Sequence, residues 1–508
     1  MGLKPSITLA LIFAFFTSFP GVYAQNAAQL PAQNAASFPR LEPDPKALEY
    51  YQLGLRTGNY TWQELAEIAL WASGDSSAEN IEKIKAAVFT LNNSAELPSS
   101  GKERPEFILN YLHKNYLKTY SLYQTRVDTV FSSGVYNCVS SAALFIILCE
   151  SAGIRTSGVI TKEHAFVIVH INNQDFDVET TNRYGFDPGN KKEFHDSSGK
   201  TTGFAYVPPQ NYRDRQTISK IELISLILNN RIAEQERRNR YAEAVPIAVD
   251  RAALLFGNSL TLSSEDASLD YIFSDPRKDL LDRLINYGST LLKANREEDA
   301  IRWAEIASAR YPANEHWQEY FLAAVNNRLN RYAKDKNITE AVKFLEENKK
   351  HLTEKSYTQL NTLLADADIL NRANLIKSAG EGDIVLKSIE NAEQSGKISR
   401  KRADELFTYT IQKTASVLAA APARNWRTVI QYMEAAISSY GTNKELEQTL
   451  KTYRGNLVAD FHNRFASEWN KKNYDEAERI LNEGLKEFPT DRQLLSNRDI
   501  VNRQKARQ

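Results

Sequence analysis

Cysteine is scarce in this chain of 508 residues: there are two, Cys138 and Cys149. If both lie on one helix, the eleven residue steps from one to the other span ~16 Å, too far for a disulfide. Cohesion must come from packing, and the chain is long enough for two to four domains with a sizeable core. Charge of one sign is lacking too, with 63 Lys+Arg against 63 Asp+Glu, which argues against nucleic acid as a partner. Past the N-terminus no run is apolar enough for a membrane helix, so no integral membrane segment is expected in the mature chain. Metal-ligand spacing is missing as well. Asp187-Pro-Gly-Asn reads as a turn, and neither a metal nor another cofactor is expected.

What is present begins with residues 1–24, where Lys4 precedes an apolar stretch and Val22-Tyr23-Ala24 precedes Gln25. This is the pattern of a secretory signal peptide cut after Ala24, and it predicts a periplasmic or secreted protein. No cysteine stands at the cut to carry a lipid. Residues 25–40, rich in Ala, Gln, Asn and Pro, read as a flexible leader. Residues 41–100 read as helices: Thr61-Trp-Gln-Glu64 is a capping box, and Ser77 caps a second helix.

Residues 101–212 hold the chemistry. The spacing predicts a helix near 105–116, a loop, then an apolar helix opening at Cys138 and closed by Gly153. A helix N-terminus carries about half a positive charge and favours a thiolate there. The run 156–171, the turn Asn172-Asn-Gln174 and the segment 175–181 read as a β-hairpin, giving an α+β domain. His164 stands at an apolar β-branched stretch, and Asp177 and Glu179 alternate on the following strand. Cysteine, histidine and acid in this order suit nucleophilic acyl transfer. Cys149, among Ile147, Leu148 and Leu144, reads as core packing. The other histidines, including His113, His170 and His195, have no partner by spacing and read as surface residues.

Three elements here resemble the transglutaminase-like superfamily, a papain-related group of cysteine enzymes. They are Cys138-Val-Ser-Ser-Ala142 on a helix ended by Gly153-Ile154, Glu163-His164-Ala165-Phe166, and Asp177-Val178-Glu179-Thr180. The resemblance implies Cys138 as nucleophile, His164 as general base and an acid orienting the imidazole. Spacing from His164 puts that acid at Glu179, where the family usually has Asp, with Asp177 as the alternative acid. Tyr136 replaces a glycine common in the family two residues before the cysteine. The Cys138 N–H is the oxyanion donor the helix start offers.

From Ile218 onward strand signal nearly vanishes, and residues 213–508 read as stacked helical hairpins. In the units at 287–312 and 469–489, small residues stand five and twelve places before the closing proline: Ala307 and Ala300, then Gly484 and Ala477. Small residues let helices approach closely, and the proline ends each pair. These units resemble tetratricopeptide repeats at irregular spacing, which implies an all-α solenoid.

Together these features predict a secreted transglutaminase-like cysteine enzyme acting on amide bonds, a peptidase or amidase in preference to a cross-linking transferase. Its repeats would bind a protein or peptide substrate, or an envelope protein partner. The alternative is a non-catalytic scaffold for protein–protein interaction.

Overall fold

The structure, a computed structural model, describes residues 38–162, 164–189, 191–202, 215–260, 275–421 and 425–506. The expected signal peptide and most of the expected leader lie outside the described residues. The chain is mostly helical with small sheets. Contacts divide it into two compact units between Ala324 and Val325.

The first unit opens with α1 (Pro45–Thr57), α2 (Trp62–Ser73), α3 (Ala78–Asn92) and α4 (Glu103–Asn115). Local chemistry sets these boundaries. Thr61 and Glu64 complete the capping box at the start of α2, and Ser77 caps α3. Each such cap satisfies amides that would otherwise lack partners and contributes about 1 kcal/mol.

Next come β1 (Thr119–Tyr120), α5 (Val127–Ser133), β2 (Val135–Tyr136) and α6 (Cys138–Ser151). The two short strands pair in parallel, with Tyr120 opposite Tyr136. Helix α6 is buried from Cys138 through Cys149 on every face, and Gly153 follows it at φ 73°. A helix apolar all round is a central one, and α2, α4 and α5 pack on it.

Strands β3 (Arg155–Ile160), β4 (Ala165–Ile171) and β5 (Gln174–Val178) follow, then α7 (Lys192–Thr202) and β6 (Gln216–Ile218). They form an antiparallel sheet of order β5-β4-β3-β6. Ala165, Val167 and Val169 face the core shared with α6, while Phe166 and Ile168 cluster with Val159 on the other face. The run 156–171, expected as one arm of a hairpin, is two strands. Thr161 N–H donates to the His164 carbonyl at 2.8 Å and turns the chain where polar residues interrupt the apolar run. The second turn stands as expected, with Asn172 and Asn173 at φ 47° and 61°, the left-handed values a two-residue hairpin demands.

Helices α8 (Lys220–Arg237), α9 (Tyr241–Phe256), α10 (Pro276–Lys293), α11 (Glu297–Arg310) and the first part of α12 (Asn314–Lys334) complete this unit. Leu223, Ile224 and Ile227 of α8 enter the same core as α6 and the sheet. Helix α8 thus opens the all-helical stretch while serving as a wall of the α+β core. Trp303 of α11 is wholly buried and donates its indole N–H to the Leu284 carbonyl at 2.9 Å.

The second unit contains the rest of α12, α13 (Ile338–Glu347), α14 (Glu354–Asn374), α15 (Ala379–Gln394), α16 (Arg400–Ala419), α17 (Trp426–Tyr440), α18 (Lys444–Asn470), α19 (Tyr474–Glu487) and α20 (Arg492–Lys505). From α13 onward each helix packs on the next in sequence. The small residues of α19 mark its packed face: Ala477 is fully buried, and a Cβ on Gly484 would meet Phe461 of α18 at 3.0 Å and Leu494 of α20 at 3.1 Å.

Candidate active site

The start of α6 is built with few degrees of freedom. Gly134, at φ 72°, ends α5 and turns the chain into β2. Asn137 then caps α6: its Oδ1 accepts the Val139 and Ser140 N–H groups at 3.0 Å each, and its own N–H donates to Ser140 Oγ at 3.0 Å. Its side-chain amide also donates to the Leu122 carbonyl at 3.3 Å. Cys138, the first residue of the helix, is 9% exposed. Its N–H has no acceptor among the described residues, because the cap serves the two amides after it.

His164 stands just before β4, and its Nε2 lies 2.5 Å from Glu179 Oε2. The other carboxylate oxygen, Oε1, accepts the Thr181 N–H at 3.1 Å and the Thr181 hydroxyl at 2.6 Å. Burial opposes a charge on His164, but the Glu179 carboxylate and hydrogen bonds to Cys138 and Glu179 outweigh it and hold the imidazole well above its ordinary pKa. For Glu179, burial pushes upward, and the His164 charge with the Thr181 hydrogen bonds carries the net shift downward. The pair is therefore arranged as carboxylate and imidazolium. With Nε2 held by Glu179, Nδ1 is the nitrogen left to exchange a proton with the thiol.

Cys138, His164 and Glu179 are thus gathered at one place, and Asp177 is not. Arg215 binds both Asp177 oxygens, at 2.5 and 2.8 Å, and the same guanidinium lies over the Phe166 ring on the sheet's other face. Alternation along a strand would have put Asp177 and Glu179 on one face, but β5 ends at Val178. Beyond it the chain loops: Glu179 N–H donates to the Gly185 carbonyl at 2.8 Å and Asn182 N–H to the Glu179 carbonyl at 3.2 Å. A Cβ on Gly185 would stand 1.9 Å from the Glu179 carbonyl oxygen, so only glycine permits this loop.

Three supports of that loop were not legible in the sequence. The Tyr136 hydroxyl donates to the Thr181 carbonyl at 3.1 Å, giving the residue two before Cys138 a structural task. Ser141 Oγ, one helical turn after Cys138, lies 2.8 Å from Thr180 Oγ1. His113, expected as a surface residue without a partner, is half-buried and partnered: its Nε2 lies 3.0 Å from the Thr180 carbonyl, and its ring meets Tyr136 edge-on. Burial lowers its pKa to about 4, so it is a neutral donor at physiological pH. A partner 67 residues distant leaves no signal in local spacing.

His170 and His195 also have partners. His170 bridges Ser157 at 2.8 Å and Asp175 at 2.6 Å, and His195 reaches the Gly189 carbonyl at 2.8 Å. Ser157 lies within β3, where no helix dipole assists its hydroxyl. Cys149 is fully buried, and burial pushes its thiol well above the ordinary value, as suits an unreactive core residue.

Among the described residues no cluster of His, Cys, Asp and Glu is placed to hold a metal, and no helix is long and apolar enough to cross a membrane. No protein-family model matches the chain, and no curated protein matches it.

Proposed function

We propose that the first unit is a transglutaminase-like cysteine enzyme that opens amide bonds through a thioester. The observation that carries this reading is the Cys138–His164–Glu179 alignment: a thiol on a helix N-terminus beside an imidazole whose far nitrogen is held at 2.5 Å by a buried carboxylate. His164 holds, as imidazolium, the proton that the thiol has given up, and the Cys138 thiolate attacks the carbonyl carbon. As the tetrahedral intermediate collapses, His164 returns the proton to the leaving amine. Water, activated by the same imidazole, then cleaves the thioester. An amine in place of water would make the product a cross-link, and hydrolysis is the outcome proposed here. Glu179 keeps the ring oriented and stabilises its charged form.

The small residues at helix crossings, Gly484 and Ala477 foremost, support a tetratricopeptide-like reading of the later helices. On it they bind a protein or peptide, either the substrate or an envelope partner. The pattern at residues 1–24 supports action in the periplasm or outside the cell.

The test is the alkylation of Cys138 by iodoacetamide from pH 5 to 9, read by mass spectrometry, with Cys149 as internal control and His164→Ala as comparison. Rapid modification of Cys138 at pH 6, lost in the variant, is the expected result. A rate equal to that of His164→Ala across the range would overturn the reading.

A further inference from the structure

We infer that the Tyr120 hydroxyl is the second donor, beside the Cys138 N–H, to the oxyanion formed when the thiolate attacks a carbonyl. The assignment rests on the acyl-transfer function proposed above and makes Tyr120 a catalytic residue.

The geometry begins with the parallel pairing of β1 and β2, which sets Tyr120 opposite Tyr136, two residues before Cys138. The Ser121 N–H donates to the Tyr136 carbonyl at 2.8 Å, and the two tyrosine rings meet edge-on with centroids 5.9 Å apart. Tyr136 spends its hydroxyl on the Thr181 carbonyl. The Tyr120 hydroxyl is equally inaccessible to solvent, yet it has no hydrogen-bond partner among the described residues. A buried hydroxyl without a partner costs about 1–3 kcal/mol, which calls for a role outside the resting fold.

Its surroundings indicate that role. Burial first, then the charges of Cys138, Glu179 and Tyr136, hold its phenol well above the ordinary value, so it stays protonated and can only gain by donating to new negative charge. The Cys138 N–H is likewise without an acceptor among the described residues. Two idle donors therefore stand in the neighbourhood of Cys138, one at the helix start and one on β1, the strand paired with the residues that lead into that helix. During attack the C–S bond forms and the carbonyl π pair moves onto oxygen. That oxygen accepts from both donors until the pair returns and the leaving group departs with the His164 proton. Donors fixed before the charge develops are the efficient kind, because no reorganisation is needed.

Two reagents separate this role from the rest of the site. Acetylation of Cys138 by p-nitrophenyl acetate passes through an oxyanion, whereas alkylation by iodoacetamide does not. Tyr120→Phe keeps the ring and removes only the oxygen, so the melting temperature is expected to hold. The expected result is acetylation slowed by about tenfold or more, with alkylation within about twofold of wild type. Equal rates for both reagents, or an equal fall in both, would overturn the assignment. If wild-type Cys138 reacts with neither reagent faster than His164→Ala does, the proposed function itself fails and takes the assignment with it.

Discussion

Glu179 Oε2 lies 2.5 Å from His164 Nε2 although Glu179 is past the end of its strand, so the loop of residues 179–185, and not the sheet, aims the carboxylate. The longer side chain of glutamate is accommodated because the backbone leaves the strand plane after Val178. The expected consequence separates the two acids. Glu179→Gln should lower the His164 pKa and slow Cys138 alkylation at pH 6 by about tenfold or more, because the imidazolium loses its counter-charge. Asp177→Asn should leave that rate within about twofold and act only on stability through the Arg215 pair. Alkylation rates of the two variants, taken side by side, decide between them.

Gly185 controls the same loop from its other end. Gly185→Ala would place a methyl 1.9 Å from the Glu179 carbonyl oxygen and 2.9 Å from that of Asn182, so the backbone must move. The expected outcome is loss of Cys138 reactivity comparable to that of Glu179→Gln, with a lower melting temperature. Glu179→Gln is expected to spare the melting temperature more, and scanning calorimetry with alkylation on both variants checks the distinction.

Sequence signals of different range explain what could be read in advance. The cap at Thr61, the helix beginning at Cys138 and the Asn172-Asn173 turn are set by neighbours within four residues, and each stands where the sequence puts it. The approach of Cys138, His164 and Glu179 followed from their order and a family resemblance. Asp177 competed with Glu179 only because alternation was extended past Val178, where the ladder stops. Tyr120 lies on a strand of two residues, too short to show any periodicity, and its pairing with β2 is tertiary. The role of α8 as a wall of the sheet's core was hidden for a similar reason: an apolar helix face does not name the surface that it covers.

In the second unit the small residue Gly484 allows α19 to lie close to its neighbours. Gly484→Leu would drive a branched side chain into Phe461 and Leu494, which already stand 3.0 and 3.1 Å from where a Cβ would be. Overpacking of this kind costs about 1–3 kcal/mol, more than the improved helix propensity of leucine returns. Urea denaturation followed by the fluorescence of Trp469 and Trp426 should show an earlier transition, with Cys138 alkylation unchanged.

His113 gives the fold a pH dependence of predictable sign. In the unfolded chain its imidazole takes up a proton near pH 6.5, whereas in the fold burial delays this to about 4. The carbonyl of Thr180 and the Glu179 carboxylate favour the charge, and Arg183 and Lys118 oppose it. Between these values the unfolded state binds the extra proton, so stability falls as pH is lowered and levels off below about 4. The loss from this residue should be about 2 kcal/mol between pH 7.5 and 5, since each pH unit well below 6.5 is worth ~1.4 kcal/mol. His113→Gln keeps an N–H donor for the Thr180 carbonyl but cannot titrate in this range. Urea denaturation at pH 7.5 and pH 5 should therefore show a smaller drop for the variant than for wild type, by about that amount. An equal drop in both proteins would show that His113 is protonated within the fold and that its hold on Thr180 does not depend on a neutral ring.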